Sequence, residues 1–256
     1  HLSVRQKFGN AGGNFWCKYA SAYCNVYLKS KSNKVYRFIY LLVLFSTSVC
    51  AEMTDFRAEY SAEYRGLPVK AQAVRELKRL CDNKFRLTSS AHSLFLNVTE
   101  TSELEYRNQQ LRPLSYSYKR RGLGRKKDEQ LEFDWETGQL AHRNNYSPLA
   151  EDTLDKLSLQ LKLSQDIARL AKSGEPIPEL SYVIADKDRR KTYRFRVLPE
   201  ERLETPLGSL RTLPVERVGD KKQRETRFWL ALDHHYLLVR ALQLKNDSGL
   251  ELNLVN

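Results

Sequence analysis

The sequence predicts a mainly β protein. We expect a large antiparallel curled sheet or open β-barrel of roughly a dozen strands, with one long helix packed on or in it. Apolar and polar residues alternate with a period of two through most of residues 52–256, and short polar turns separate these runs. The period becomes helical only once, at about residues 153–172. Because open sheets seldom grow this wide, we expect the sheet to curl.

The clearest strands lie in residues 204–244. Two polar segments separate the alternating runs there, Gly219-Asp220-Lys221-Lys222 and Asp233-His234-His235. Short segments rich in Gly, Asp and other polar residues are typical of turns. Three such runs predict an antiparallel meander. The predicted strands cover about residues 209–218, 223–230 and 237–244.

Similar alternation continues along the rest of the domain. Phe56–Arg65 has aromatic and alanine side chains on one face and charged or serine side chains on the other, which predicts a strand with one buried face. Gly66-Leu67-Pro68 then turns the chain. Further strands are predicted at about residues 69–80, 84–91, 94–101, 114–119, 131–136, 139–143, 180–185, 192–197 and 251–255.

One segment carries a helical apolar stripe. Leu154, Leu157, Leu161 and Ile167 recur at helical spacing. We expect this helix at about residues 153–172, with Asp152 as its N-cap. A stop signal follows, because glycine at 174 precedes prolines at 176 and 178.

The N-terminal part differs from the rest in charge. Residues 1–51 contain seven Lys or Arg and no Asp or Glu, so the net charge falls from +12 for the chain to +5 for residues 52–256. A basic segment at 29–37, an apolar run at 38–45 and small residues up to Ala51 predict a signal peptide at 29–51, cleaved near Ala51/Glu52. A membrane span would need about 20 apolar residues, and a lipid-anchored Cys50 is the other alternative.

The remaining boundaries follow from this interpretation. We expect residues 1–28 to be upstream sequence translated in error or a fragment edge, with a true start near Leu28 or Val35. Residues 52–256 are predicted to form a single β-rich domain without a transmembrane span. Cys81 is the one cysteine of that domain, so the domain must be stabilised by burial rather than by an internal disulfide.

Several segments together resemble a known family. They are FRAEYSAEYRG near the domain's start, LEFDW at 131–135, LDKLSLQLKLSQDIA in the helix, and TPLGSLRTLPVERV followed by RFWLALDHHYLLVRALQ. They resemble the exported bacterial family called domain of unknown function 3108 over almost all of residues 54–254. The resemblance implies an envelope protein of Gram-negative type that is rich in antiparallel β-structure. It supplies no active-site residues.

Arg240 is the first candidate for ligand binding. Its position in the alternation places it with Leu238, Leu242 and Leu244, on an otherwise apolar face. A cation there must be paired or must line a wet cavity. We expect a structural ion pair with Glu216, Glu225 or Asp134, with exposure at a strand end or a ligand contact as alternatives.

A basic segment at residues 119–127 supplies two further candidates, Arg120 and Arg121. It holds six basic residues and two glycines between two predicted strands. A solvated hairpin tip is the structural interpretation, and contact with a lipid or anionic envelope glycan is the functional one. Nucleic acid is not expected as a partner, because interleaved aromatic residues and a strongly basic domain are missing.

Aromatic and histidine residues complete the candidates. Trp135 belongs to a set of alternating aromatic residues that could line a pocket, although such residues more often form core. His234 and His235 follow Asp233, but neighbours in an extended chain point to opposite faces and seldom share a metal. We therefore predict a polar turn there, and no metal, cofactor or catalytic residue is assigned.

Three classes of function remain open. The favoured one is a non-enzymatic periplasmic binding or carrier module, or an accessory factor in envelope assembly. An enzyme such as a hydrolase of envelope material is the second, although hydrolase signatures are missing from the sequence. A structural adaptor for a protein partner is the third.

The signal peptide gives a direct prediction. N-terminal sequencing of the exported protein should begin at or within a few residues of Glu52, because the small residues before it form the cleavage pattern. A mature protein that keeps residues 38–45 embedded in a membrane would contradict this.

Overall fold

The computed structural model describes residues 53–65, 69–108, 110–122, 125–219 and 224–256. The predicted signal peptide at 29–51 and the predicted upstream segment lie outside these residues and stay predictions. Sixteen strands and the α-helix α1 (Ser158–Ala171) form within the described part. The strands are β1 (Phe56–Arg65), β2 (Val69–Cys81), β3 (Lys84–His92), β4 (Leu96–Arg107), β5 (Gln110–Gly122), β6 (Arg125–Asp134), β7 (Gln139–His142), β8 (Asn145–Pro148), β9 (Thr153–Leu154), β10 (Leu180–Asp186), β11 (Arg189–Val197), β12 (Glu201–Thr205), β13 (Gly208–Val218), β14 (Arg224–Ala231), β15 (Leu237–Lys245) and β16 (Ser248–Leu254).

All of these strands belong to one curled sheet that does not close. Its order is β8-β7-β6-β5-β4-β3-β2-β1-β16-β15-β14-β13-β11-β10-β9, and β12 pairs with the first half of β13. The last strand returns to pair antiparallel with the first, which brings the two halves of the chain into one sheet. The two ends of this order are β8 and β9, and β9 is parallel to its neighbour β10.

The hairpin turns divide between two ends of the sheet, because consecutive antiparallel strands reverse direction. The turns after β1, β3, β5, β10, β13 and β15 lie at one end, which we call the Gly122 end. The turns after β2, β4, β6, β12 and β14 lie at the other, which we call the Leu207 end.

The helix packs on the concave side of the sheet. Leu159, Leu163 and Ile167, spaced by four residues, are buried together with inward residues of the sheet such as Tyr60 and Phe195. A second buried cluster joins β2–β7 to the residues that precede the helix, and includes Leu157. No helix of the described residues is long and apolar enough to cross a membrane.

The predicted fold class is confirmed, with two corrections of detail. The strands number sixteen in the described residues rather than roughly a dozen, because the short strands β8, β9 and β12 carry too few residues to show alternation. The helix begins at Ser158 and not near residue 153, because Thr153 and Leu154 pair with β10. Asp152 is therefore not the N-cap, and its φ of 57° places it in a turn.

Candidate functional site

The inner face of β2–β6 carries charged side chains among its apolar ones. Cross-strand register sets Glu100 opposite Tyr118, and Tyr118 opposite Glu129, on the same face. Arg75 lies on this face of β2 and is 4% exposed. Buried charges must be paired or hydrogen-bonded, so the partners of these groups decide what the site can do.

Asp155 fastens the start of the helix to β4. The hydroxyl of Ser102 donates to its Oδ2 at 2.6 Å, and the amides of Leu157 and Ser158 donate to its Oδ1 at 2.7 and 2.9 Å. The amide of Asp155 donates in return to Ser158 Oγ at 2.9 Å, which completes a reciprocal cap. Burial raises the pKa of Asp155, and these donors oppose that shift.

Glu100 is a second acid on the same inner face. The hydroxyl of Tyr116 donates to Glu100 Oε1 at 3.3 Å. Burial and the neighbouring carboxyl of Asp155 raise the pKa of Glu100, while Lys156 opposes the shift. The site therefore favours the uncharged form of this carboxyl more than water does.

Arg75 lies on β2, two strands from Glu100 in the same cross-strand row. Its Nη1 donates to the side-chain oxygen of Gln160 on the helix, whereas its buried Nε has no hydrogen-bond partner among the described residues. Burial lowers the pKa of Arg75, and the nearby Tyr60 and Glu100 oppose this. A guanidinium with unused donor capacity lies inside the sheet as a result.

Lys156 links the two open sides of the sheet. Its Nζ lies 3.1 Å from Glu129 Oε1 on β6 and 2.8 Å from Asp186 Oδ1 on β10. Burial raises the pKa of Asp186, but hydrogen bonds from Lys156 and Lys191 outweigh it and lower that pKa to about 2. The same two sides are joined by His142 on β7, whose Nδ1 lies 2.8 Å from Asp188 Oδ1.

Arg120 and Arg121 are adjacent on β5 but project from opposite faces. Arg121 is exposed and forms a bidentate ion pair with Asp128, at 2.5 and 3.0 Å. Arg120 has the inward parity of Tyr118 and is half-buried. Its Nε is buried without a hydrogen-bond partner, and no described carboxylate forms an ion pair with it.

Lys127 completes the surroundings of Arg120. Its Nζ lies 4.8 Å from the ring centre of Tyr118 and 3.4 Å from Glu129 Oε2. Burial raises the pKa of Glu129, but Lys156 and Lys127 outweigh this and lower it. Glu129 is therefore an anion already shared by two lysines, so the inward-facing Arg120 has no anion of its own among the described residues.

Trp135 lies at the other end of β6. Its indole N–H donates to Pro113 O at 2.7 Å, and its ring stacks on Phe133 with centroids 6.3 Å apart. The cross-strand partner of Arg120 is Lys127. Trp135 follows Lys127 by eight residues, which is roughly 26 Å along an extended strand. The structure thus does not bring Trp135 together with Arg120.

Arg240 forms an ion pair with a residue that the sequence did not indicate. Its Nη2 lies 2.6 Å from Glu251 Oε1 on the neighbouring β16, so the predicted partners Glu216, Glu225 and Asp134 are wrong. The reason is the register, which sets Arg240 opposite Asn253 and beside Glu251. Burial raises the pKa of Glu251, but Arg65 and Arg240 outweigh it and lower that pKa.

Arg240 also covers an indole ring. Its guanidinium carbon lies 4.7 Å from the ring centre of Trp229 on β14. Arg240 therefore forms a structural ion pair, as predicted, but with Glu251 as its partner. A ligand role for Arg240, as for Arg120, Arg121 and Trp135, stays a prediction.

The described histidines occupy three separate places, with His92 on β3, His142 on β7 and the adjacent His234 and His235 together. His234 and His235 occupy an exposed turn at the Leu207 end, where the sequence predicted a polar turn. Within the described residues there is no group of three His, Cys, Asp or Glu side chains suited to a metal ion. A surface groove of about 700 Å³ lies at the Gly122 end, between His92, Leu94 and Lys70.

Sequence reasoning missed most of the inner charges, although a signal for them exists. Arg75 alternates with Ala71, Ala73 and Leu77, so a charge interrupts an apolar face. The same parity argument that singled out Arg240 would have found it. Asp155 is signalled by Ser158 three residues later, which is the spacing of a reciprocal cap.

The environment of Glu100 gives a pH-dependent prediction for Glu100→Gln. A carboxyl whose pKa is raised by folding costs stability above its unfolded pKa of about 4.3 and costs nothing below it. The variant should therefore gain stability relative to the wild type as pH rises from about 4 to about 7.5, by roughly 1–2 kcal/mol. Denaturant unfolding across this range measures the gap.

Glu103→Gln is the matched control on the outer face of the same strand. Glu103 pairs with the exposed Arg86 at 2.7 Å, so its removal should give no gain at high pH. Parallel stability profiles for the wild type and Glu100→Gln would contradict the assigned environment.

Comparison with known proteins places the chain in a family. The family model described as protein of unknown function (DUF3108) matches residues 59–254. No curated protein matches the chain. A solved structure that is similar, the beta-barrel-like protein of domain of unknown function DUF1849 from Brucella abortus, shares 9% identity, with a TM-score of 0.49 and coverage of 80% of this chain and 97% of that chain. Because the family model spans most of the chain, as the segments quoted above led us to expect, this protein belongs to the family of proteins of unknown function DUF3108.

Proposed function

We propose that this protein is an exported, non-enzymatic binding or carrier module of the bacterial cell envelope, and that it holds an anionic envelope molecule, a lipid or a glycan, at Arg120. The observation that carries the proposal is the state of that side chain. It faces inward at the Gly122 end, is half-buried, and has no ion pair with a described carboxylate. A planar guanidinium in such a place suits a phosphate or carboxylate group.

The neighbours of Arg120 favour an anion over a neutral ligand. Lys127 is half-exposed beside it, and Tyr118 offers a ring and a hydroxyl at the same rim. The ligand would replace water around a cation that the fold leaves without an internal counter-ion. The composition of residues 29–51 supports export, since it has the three parts of a signal peptide.

An enzyme is the second possibility for this site. The inner acids are the groups that would serve it, but their hydrogen bonds are directed at the fold itself. Asp155 binds the helix start and Ser102, and Glu129 binds Lys156. We therefore assign these acids a structural role and favour binding over catalysis.

Arg120→Met tests the proposal, with Arg121→Met as the control. Both changes remove one guanidinium from neighbouring positions, but only the first removes it from the inner face. With a fluorescent anionic fatty acid as the probe, Arg120→Met should weaken binding about tenfold or more, which is the effect of one charge-assisted hydrogen bond. Arg121→Met should change it less than about twofold.

Mass spectrometry of the protein purified from the periplasm extends the test to natural ligands. An anionic lipid or glycan should co-purify with the wild type and with Arg121→Met, and should be depleted in Arg120→Met. Equal binding by all three proteins, in both measurements, would contradict a ligand at Arg120. Turnover of a co-purified molecule would point instead to the enzyme.

A further inference from the structure

An apolar turn projects from the Gly122 end of the sheet. Leu94 is 94% exposed and Phe95 is 63% exposed, both in the turn between β3 and β4. Single exposed apolar residues are common, but two adjacent large ones at a turn tip leave most of their apolar surface uncovered within the described fold. Tyr64 and Leu250, paired across β1 and β16, are also exposed at this end.

The apolar turn is held against the basic hairpin between β5 and β6. Gly122 has a φ of 122°, and a Cβ atom there would lie 2.0 Å from the carbonyl oxygen of Phe95. Only glycine permits this approach, because it lacks that atom and tolerates positive φ. The turn that carries Leu94 and Phe95 is therefore held next to the basic hairpin, although the two are distant in sequence.

Cations outnumber free anions in the turns after β5 and β10, whereas the exposed acid Asp247 lies at the same end of the sheet on the turn after β15. Lys119 and Lys126 are exposed on the hairpin, and Lys187 and Arg190 are exposed on the turn between β10 and β11. The acids of these two turns are already engaged. Asp128 pairs with Arg121 and lies 3.8 Å from Lys126 Nζ, Asp186 pairs with Lys156, and Asp188 contacts His142.

The Leu207 end has a different character. Its exposed turns mix both signs, with Asp82, Glu136 and Asp233 among the acids and Arg107 among the cations. Leu207 is exposed there at 52%, but no basic hairpin is fixed beside it in the described residues. The combination of apolar tip and cations thus belongs to the Gly122 end.

We propose that the Gly122 end docks on the surface of a lipid bilayer that contains anionic headgroups. Leu94 and Phe95 enter the boundary between headgroups and acyl chains, and the surrounding lysines and arginines bind the negative surface. A protein partner would not explain the excess of cations, and a soluble polyanion would not explain the exposed Leu94 and Phe95. The bilayer surface matches both.

The docking surface goes beyond the ligand site proposed above and stands on other residues. Arg120 faces the interior, whereas Leu94, Phe95, Lys119 and Lys126 face solvent. Ligand binding and docking can therefore fail separately. If both hold, the ligand site opens at the end of the sheet that meets the membrane.

Vesicle sedimentation of the full chain tests the docking surface. The vesicles are phosphatidylglycerol mixed with phosphatidylethanolamine, with phosphatidylcholine alone as the neutral comparison. The wild type should bind the anionic vesicles, and the binding should weaken as salt rises from about 0.05 M to about 0.5 M. The double variants Leu94→Ser/Phe95→Ser and Lys119→Glu/Lys126→Glu should each lower the partition coefficient about tenfold or more.

Matched changes at the Leu207 end are the controls. Leu207→Ser removes an exposed leucine, and Lys84→Glu/Arg107→Glu reverses two exposed cations at that end. These variants should bind as the wild type does, and the N-terminal segment is common to all of them. Equal losses at both ends, or no loss at the Gly122 end, would overturn the proposal.

Two further results separate docking from ligand binding. Arg120→Met should keep vesicle binding within about twofold even where it loses the fatty acid probe. A wild type that binds a soluble anionic polysaccharide but neither kind of vesicle would overturn docking, and would leave the ligand site of Arg120 standing.

Discussion

The buried carboxylate of Asp155 is the constraint on which the relation between helix and sheet depends. It is fully buried, and a carboxyl in that position is tolerated only when donors surround it. Those donors come from β4 and from the start of the helix, so one group fixes where the helix begins and ties that point to β4. Leu159, Leu163 and Ile167 then pack along the concave face from that point.

This arrangement explains why the charged groups of the interior differ in role. The helix occupies the concave face, so inner charges near its start are engaged with one another, as Lys156 is with Glu129 and Asp186. Beyond the start of the helix the strands continue to the Gly122 end, where Arg120 lacks such a partner among the described residues. Arg75, inside the sheet, also keeps a buried Nε without a hydrogen-bond partner among the described residues, but Arg120 lies at the rim, where a ligand can reach it.

Much of the sheet could be predicted because alternation is a local signal. Phe56–Arg65 shows it without a fault, and that strand has the predicted bounds. The pairing of Arg240 with Glu251 could not be predicted, because it depends on the register between β15 and β16, which are joined by a two-residue turn whose position the sequence leaves open. The start of the helix was missed because Thr153 and Leu154 fit the helical stripe but pair with β10, a contact distant in sequence. Strand alternation alone places Arg120 and Arg121 on opposite faces, provided that the strand extends that far. The glycines and charges of the hairpin did not indicate where this strand ends, which is at Gly122.

Hydrogen exchange of Asp155→Ala tests the central claim most directly. Removing this carboxylate leaves the Ser102 hydroxyl and two helix amides without their acceptor, so the amides of Ser158–Ala171 should exchange about tenfold to a hundredfold faster, while those of β13–β16 change much less. Glu151→Ala, which removes an exposed carboxylate four residues earlier, should leave the helix protected as in the wild type. Helix amides that exchange at the wild-type rate in Asp155→Ala would contradict the claim that Asp155 holds the helix in the sheet.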